Sequence, residues 1–227
     1  MNIALGIISL IVTFGLVIII EKIFKKEGLF VWVSMATVVA NILVCKSISV
    51  LGFTTNLGII LFASNFLATD IMNEKYGSEF SKKAIIMGGC FQGIFIIITQ
   101  LALLYVPSDI DQVSESMKTL FSINLRVSIA SLTMYIVSNL LDIYIFEKIK
   151  KKIPGKLWLR NNVATIVSNC LENYLFIFFA FVFIYDINTI LAIATVSSVI
   201  EMIIAIADTP FLYLAVGKKK QESIIKE

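Results

Sequence analysis

The chain has 227 residues, of which 58% are hydrophobic and only 15% charged, with a mean hydropathy of +0.91 and a net charge of +3. Soluble chains carry about a quarter charged residues, and a soluble core of this size cannot hide so much apolar surface, so the solvent this composition fits is lipid. The mild net charge argues against a nucleic-acid partner, and the composition excludes disordered, collagen-like and disulfide-scaffold chains.

A bilayer core about 30 Å thick is crossed by roughly 20 apolar residues in a helix. In chain order, seven runs of that kind appear: Ile3 to Ile20, Phe30 to Val50, Leu57 to Asn73, Ala84 to Val106, Leu125 to Phe146, Val163 to Tyr185 and Ile187 to Val216. The first lacks a basic leader and a small-residue cleavage site, so it is predicted to be a retained helix. Asn41 and Lys46 interrupt the second run; Asn56, Asn65, Asp70 and Asn73 mark the third, with Glu74 just beyond it. The fifth contains Ser138, Asn139 and Asp142, the sixth Ser168, Asn169, Glu172 and Asn173, and the seventh Glu201 and Asp208. The predicted fold is an all-α integral membrane protein, a single-domain bundle of about seven transmembrane helices.

Alternate connections hold 16 of the 19 basic residues: Lys22, Lys25 and Lys26, then Lys75, Lys82 and Lys83, then Lys148 to Arg160, then Lys218, Lys219, Lys220 and Lys226. Basic loops stay cytoplasmic, which predicts an outside N-terminus and a cytoplasmic C-terminus in the inner membrane. Lys46, Lys118 and Arg126 fall in the other set, whose longest connection surrounds Pro107 to Thr119; Pro154-Gly155 breaks the longest basic one. Ile136-Val-Ser-Asn-Leu-Leu-Asp142 recurs as Ile166-Val-Ser-Asn-Cys-Leu-Glu172. On consecutive antiparallel helices the two copies would face each other in opposite directions, in the manner of inverted transporter repeats.

Without histidine there is no Ser-His-Asp triad, no H-E-x-x-H zinc site and no imidazole relay. Cys45, Cys90 and Cys170 read as buried apolar filler, and no phosphate-binding loop of the G-x-x-x-x-G-K-[ST] type occurs. Neither a metal nor an organic cofactor is expected. Ionisable groups in hydrocarbon are costly and usually mark a pathway or a site. At about 1.5 Å per residue, Asn41, Glu172 and Glu201 fall near the membrane midplane. Asp70, Asp142 and Asp208 fall within about 5 to 12 Å of the cytoplasmic end, where pairing with Lys82, Lys83 or Arg160 is the structural alternative to a functional role. Gly89-x-x-x-Gly93 permits close helix packing.

The stretch Ala40 to Gly77, with its Phe66-Leu-Ala-Thr-Asp-Ile71 run and Tyr76-Gly77, resembles the queuosine-precursor transporter family, also called the VUT family. Further matches are Arg126-x-x-x-Ala-Ser131, Ser138 to Asp142, Leu157-Trp-Leu-Arg-Asn-Asn162 and Asp208-Thr-Pro-Phe211, so the resemblance covers nearly the whole chain. It implies a membrane importer of 7-deazaguanine bases such as 7-cyano-7-deazaguanine, its aminomethyl relative or queuine. Such a base offers adjacent N–H donors to a carboxylate and mixed partners to an amide. Asn41, Asn65, Asp70, Asn139, Asp142, Asn169, Glu172, Asn173, Glu201 and Asp208 are therefore the expected substrate-binding residues. Where the family pattern places Gln, Asp and Lys, this chain has Asn139, Asn169, Glu172 and Glu201. Glu201 reverses a charge, and two deep carboxylates suit a more cationic cargo, or proton coupling through the pair. The partners expected are a small-molecule base and the lipid bilayer, with homo-oligomerisation left open. A substrate-binding subunit energised by a separate ATPase is the rival within transport, and an intramembrane enzyme using Asp142 and Glu172 is the rival outside it.

Overall fold

The computed structural model describes residues 2–50, 53–121, 125–183 and 185–217, so Lys218, Lys219, Lys220 and Lys226 lie outside the described residues, as does the side chain of Arg126. In chain order the elements are α1 (Asn2–Leu43), β1 (Ser47–Val50), β2 (Phe53–Asn56), α2 (Ile59–Lys75), α3 (Ser78–Ala102), α4 (Ser114–Phe121), α5 (Leu125–Lys152), α6 (Leu157–Phe181) and α7 (Ile187–Val216).

The 42 residues of α1 do not form one rod. Lys25 has φ 56° and ψ −137°, outside the helical region, and in a straight helix Ile20 and Gly28 would be about 12 Å apart. Instead, a Cβ placed on Gly28 would lie 2.8 Å from the Ile20 carbonyl oxygen and 2.8 Å from Phe24 Cβ. At the far end Asn2 Nδ2 donates to the Ser49 carbonyl at 2.8 Å. The chain therefore reverses at Lys25 into two antiparallel limbs, residues 2–24 and 26–43, and Gly28 is the residue that lets them close. These limbs correspond to the first two apolar runs.

The second run ends sooner than its hydropathy suggests. The helix stops at Leu43, and the next residues form a two-stranded antiparallel hairpin that pairs Ser47 with Asn56 and Ile48 with Thr55. Lys46 and Asn56 accordingly sit in a turn and a strand rather than on helices, and Asn41 lies near a helix end rather than midway along a span. Ser-Ile-Ser-Val alternates with the period of a strand, and Phe-Thr-Thr-Asn supplies strand-favouring aromatic and β-branched residues, which the length of the apolar run conceals. Leu103 to Val106 likewise fall outside α3, and the short helix α4 occupies the connection around Pro107 to Thr119. Asp111 starts that helix by accepting from the backbone N–H groups of Val113 and Ser114 at 2.7 and 2.8 Å. These backbone donors hold its carboxyl below its ordinary range.

By length and composition, α1, α3 and α7 are apolar enough to cross a membrane. Apolar and polar residues are arranged inside out relative to a soluble domain. Ile7, Ile11, Ile23, Val31, Ile97 and Leu214 are exposed, while Asp70, Asn73, Asp142, Arg160 and Asn161 are buried. An apolar exterior around a polar interior is the pattern lipid selects.

The basic turns gather at one end of the bundle. Lys75 Nζ meets Glu21 Oε1 at 2.6 Å and the Ala215 carbonyl at 3.1 Å, and Tyr76 donates to the same Glu21 oxygen at 2.7 Å. Burial, followed by the hydrogen bond to Glu21, raises the Tyr76 phenol above its ordinary range, which keeps it a donor. Beside this group, Glu74 Oε2 forms ion pairs with Arg160 at 2.7 Å and Lys150 at 3.3 Å. Arg160 also donates to the Pro154 carbonyl at 2.6 Å and faces the Phe146 ring. Adjacent residues of α2 thus tie α1, α5, α6 and α7 together at the basic end.

Two expectations need correction. Cys45 and Cys90 are exposed and Cys170 is half-buried, so none is core filler, although all three are free. The close approach of α3 to α5 centres on Gly88 and Gly89, where a Cβ would lie 2.5 Å from Tyr135 Oη and 3.0 Å from Ile136 Cδ1. Gly93 has ordinary clearance at 3.9 Å.

Candidate functional site

Helical spacing assembles a cavity within the bundle. Asn169, Glu172, Asn173 and Phe176 recur at the i, i+3, i+4, i+7 positions of α6, so they share one face. Ile59, Phe62, Ala63 and Phe66 repeat the same spacing on α2, and Gln92, Phe95, Ile96 and Thr99 repeat it on α3. Asn41 from α1, Ser131 from α5 and Glu201 from α7 complete a cavity of about 120 Å³. It extends toward the end opposite the basic turns, where Asn56, Gln100, Leu120 and Phe121 form its rim. Gln100 Nε2 donates to the Phe121 carbonyl at 2.6 Å, holding the end of α4 beside that rim.

The polar groups of this cavity are only partly engaged. Ser138 Oγ donates to Glu172 Oε2 at 2.5 Å and Asn173 Nδ2 to Glu201 Oε2 at 2.7 Å. Asn41 Nδ2 caps the Thr37 carbonyl at 2.9 Å, while its Oδ1 accepts from Ser131 at 3.3 Å. Asn169 Oδ1 and Gln92 Oε1 are buried with no donor among the described residues. Buried polar atoms normally have partners, so these unfilled acceptors point to a polar guest. Phe62, Phe66, Phe95, Phe121 and Phe176 supply aromatic faces beside them.

The remaining expected residues lie elsewhere. Asp70, Asp142 and Asp208 form a fully buried cluster nearer the basic end. Asp142 Oδ1 accepts from Thr165 at 3.2 Å and Asp208 Oδ1 from Asn161 at 2.7 Å. Neither Asp70 oxygen meets a donor among the described residues. Pairing of these three with Lys82, Lys83 or Arg160 is not what forms: the ion-pair partner of Arg160 is Glu74, and that of Lys82 is Glu79 at 2.8 Å. Asn65 and Asn139 are buried outside the cavity lining. Asn65 donates to Thr37 Oγ1 at 3.0 Å and Asn139 to the Tyr135 carbonyl at 2.8 Å, leaving the Oδ1 of each without a donor.

The sequence repeat is visible in these contacts. α5 and α6 pack closely, and Ser138 of the first copy donates to Glu172 of the second. The reciprocal contact is shifted by three residues, about one helical turn: Thr165, not Ser168, reaches Asp142. Gln92 is a site residue the sequence reading passed over, although it interrupts the apolar run Ala84 to Val106 just as Asn65 interrupts the third run. The cavity phenylalanines had no distinguishing signal, because most of the 17 Phe in the chain occupy equally apolar surroundings. Among the described residues, no group of three His, Cys, Asp or Glu side chains is disposed to hold a metal ion.

Residues 56–215 match the family model described as "Putative vitamin uptake transporter". A "Probable queuosine precursor transporter" from Bacillus subtilis (strain 168) is 34% identical over 207 residues, covering 90% of each chain. No solved structure matches the chain. The matched residues contain the cavity walls on α2, α3, α6 and α7, the buried carboxyl cluster and the ion pairs of Glu74. The chain therefore belongs to the vitamin-uptake and queuosine-precursor transporter family, and is a transporter rather than an enzyme.

Proposed function

We propose that this protein imports a 7-deazaguanine precursor of queuosine across the cytoplasmic membrane, as a secondary carrier or facilitator. The two limbs of α1 together with α2, α3, α5, α6 and α7 are the seven spans, with the N-terminus outside and the basic end in the cytosol. The observation that carries this reading is the cavity, where amides, carboxylates and phenyl rings from several helices converge well inside the bundle.

A deazaguanine presents adjacent N1–H and N2–H donors and a ring carbonyl. Glu172 Oε1 accepts from the donor edge, while Gln92 and Asn169 complete the polar set, and a phenylalanine face stacks on the flat ring. Cargo enters from the rim formed by Asn56, Gln100 and Phe121. The basic end is closed below the cavity by the Asp70, Asp142 and Asp208 layer and then by the Glu21–Lys75 and Glu74–Arg160 ion pairs. Alternating access about a central site requires those pairs to part during the cycle. The test is uptake in a host that cannot make queuosine precursors, with the cyano, aminomethyl and queuine bases supplied separately. Restored queuosine in transfer RNA with at least one base supports the proposal, and failure with all three contradicts it.

A further inference from the structure

Among the described residues, the cavity lining contains Glu172 and Glu201 but no Lys or Arg; Lys118, two residues from Leu120 of the rim, is exposed. The carboxylates are arranged alike. On each, Oε2 is held by a wall donor, from Ser138 for Glu172 and from Asn173 for Glu201, and Oε1 meets no donor among the described residues. Two independently oriented acceptors, each with one free oxygen, suit a guest with two separate donor groups better than they suit a proton shared between them. The N1–H and N2–H edge of a deazaguanine satisfies one. We propose that the other, Glu201, receives a protonated amine on the cargo, so that this transporter selects a planar base bearing a cationic side group over neutral bases of the same shape.

The inference rests on the cavity being the cargo site and adds a charge requirement to it. Glu201 stands on α7 and is tied by Asn173 to the α6 face that also presents Asn169 and Glu172, so both carboxylates line the space for one small guest. A charge-assisted hydrogen bond in a water-poor site is roughly twice as strong as a neutral one. A guest lacking the cation offers Glu201 no charge-assisted partner.

The experiment is calorimetric titration of the purified full chain in detergent with 7-aminomethyl-7-deazaguanine, a cation, and 7-cyano-7-deazaguanine, which is neutral. The wild type is expected to bind the amine at least about tenfold more tightly, a ratio equivalent to about 1.4 kcal/mol. Glu201→Gln, its fold checked by thermal unfolding, is expected to bring the ratio close to one, and Glu201→Asp to keep the preference. Equal or tighter binding of the nitrile by the wild type overturns the inference alone, as does an unchanged ratio in Glu201→Gln. Binding of neither compound overturns the functional reading and this inference together. Retained nitrile binding shows that the variant is folded; if Glu201→Gln binds neither, the wild-type ratio decides.

Discussion

Glu172 and Arg160 show how differently two buried charges can be employed. Glu172 has one oxygen fixed by Ser138 and another facing the cavity, so Glu172→Ala is expected to remove a charge-assisted contact to cargo. Such contacts are worth about 1.5–3 kcal/mol, which predicts a loss of roughly tenfold to a hundredfold in binding affinity, measured by titration with the transported base. Ser138→Ala leaves the carboxylate in place and should cost less. Arg160 is 1% exposed and paired with Glu74, itself 4% exposed. Removing Arg160 leaves the buried Glu74 with only the half-buried Lys150 at 3.3 Å, so Arg160→Ala is expected to destabilise the fold by up to about 3–5 kcal/mol. A lowered thermal midpoint in detergent is the readout. The double replacement Glu74→Leu with Arg160→Met should be milder than Arg160→Ala alone.

The helices themselves were legible where hydropathy and breakers agreed. Pro154-Gly155 separates α5 from α6 and Asp186 opens α7, accepting from the Thr189 backbone N–H at 3.1 Å and its hydroxyl at 2.6 Å. Hydropathy was misleading where an apolar run hid a change of period: residues 47–56 became a hairpin, and the reversal at Lys25 needed close packing at Gly28 that no single-helix pattern announces. Gly28→Ala is therefore expected to cost about 1–3 kcal/mol through overpacking, because its Cβ would press on backbone. Gly93→Ala, with ordinary clearance, should be tolerated, and thermal unfolding of the two variants side by side checks the contrast. The hydrogen bonds from Thr189 hold the Asp186 carboxyl below its ordinary range. A depressed carboxyl stabilises the fold above its unfolded pKa, and that contribution is lost as pH falls through the lower folded value. Protection from hydrogen exchange in the first turn of α7, taken relative to the intrinsic rate at each pH, should thus fall only under acid conditions, and Asp186→Ala should show the lower protection already at neutral pH.

At the scale of the whole molecule, polar residues form successive layers from the rim to the basic end. Depth counting along each helix separated Glu172 and Glu201 from the Asp70, Asp142 and Asp208 group, since a straight helix converts residue number into position. Which residues share a cavity depends on helix rotation and packing, so Gln92 and the phenylalanines emerged only in three dimensions, and Asn65 and Asn139 proved to lie outside the lining. The layers imply a carrier that binds in the middle and is closed at one end by ion pairs, with Glu172 addressing the donor edge of the base. The direct test is uptake of a labelled 7-deazaguanine precursor into a precursor-auxotrophic host expressing the wild type or Glu172→Ala at matched membrane levels. The account predicts saturable accumulation with the wild type and a loss of at least about tenfold in Glu172→Ala. No accumulation of any precursor with the wild type, or undiminished uptake by the variant, would contradict it.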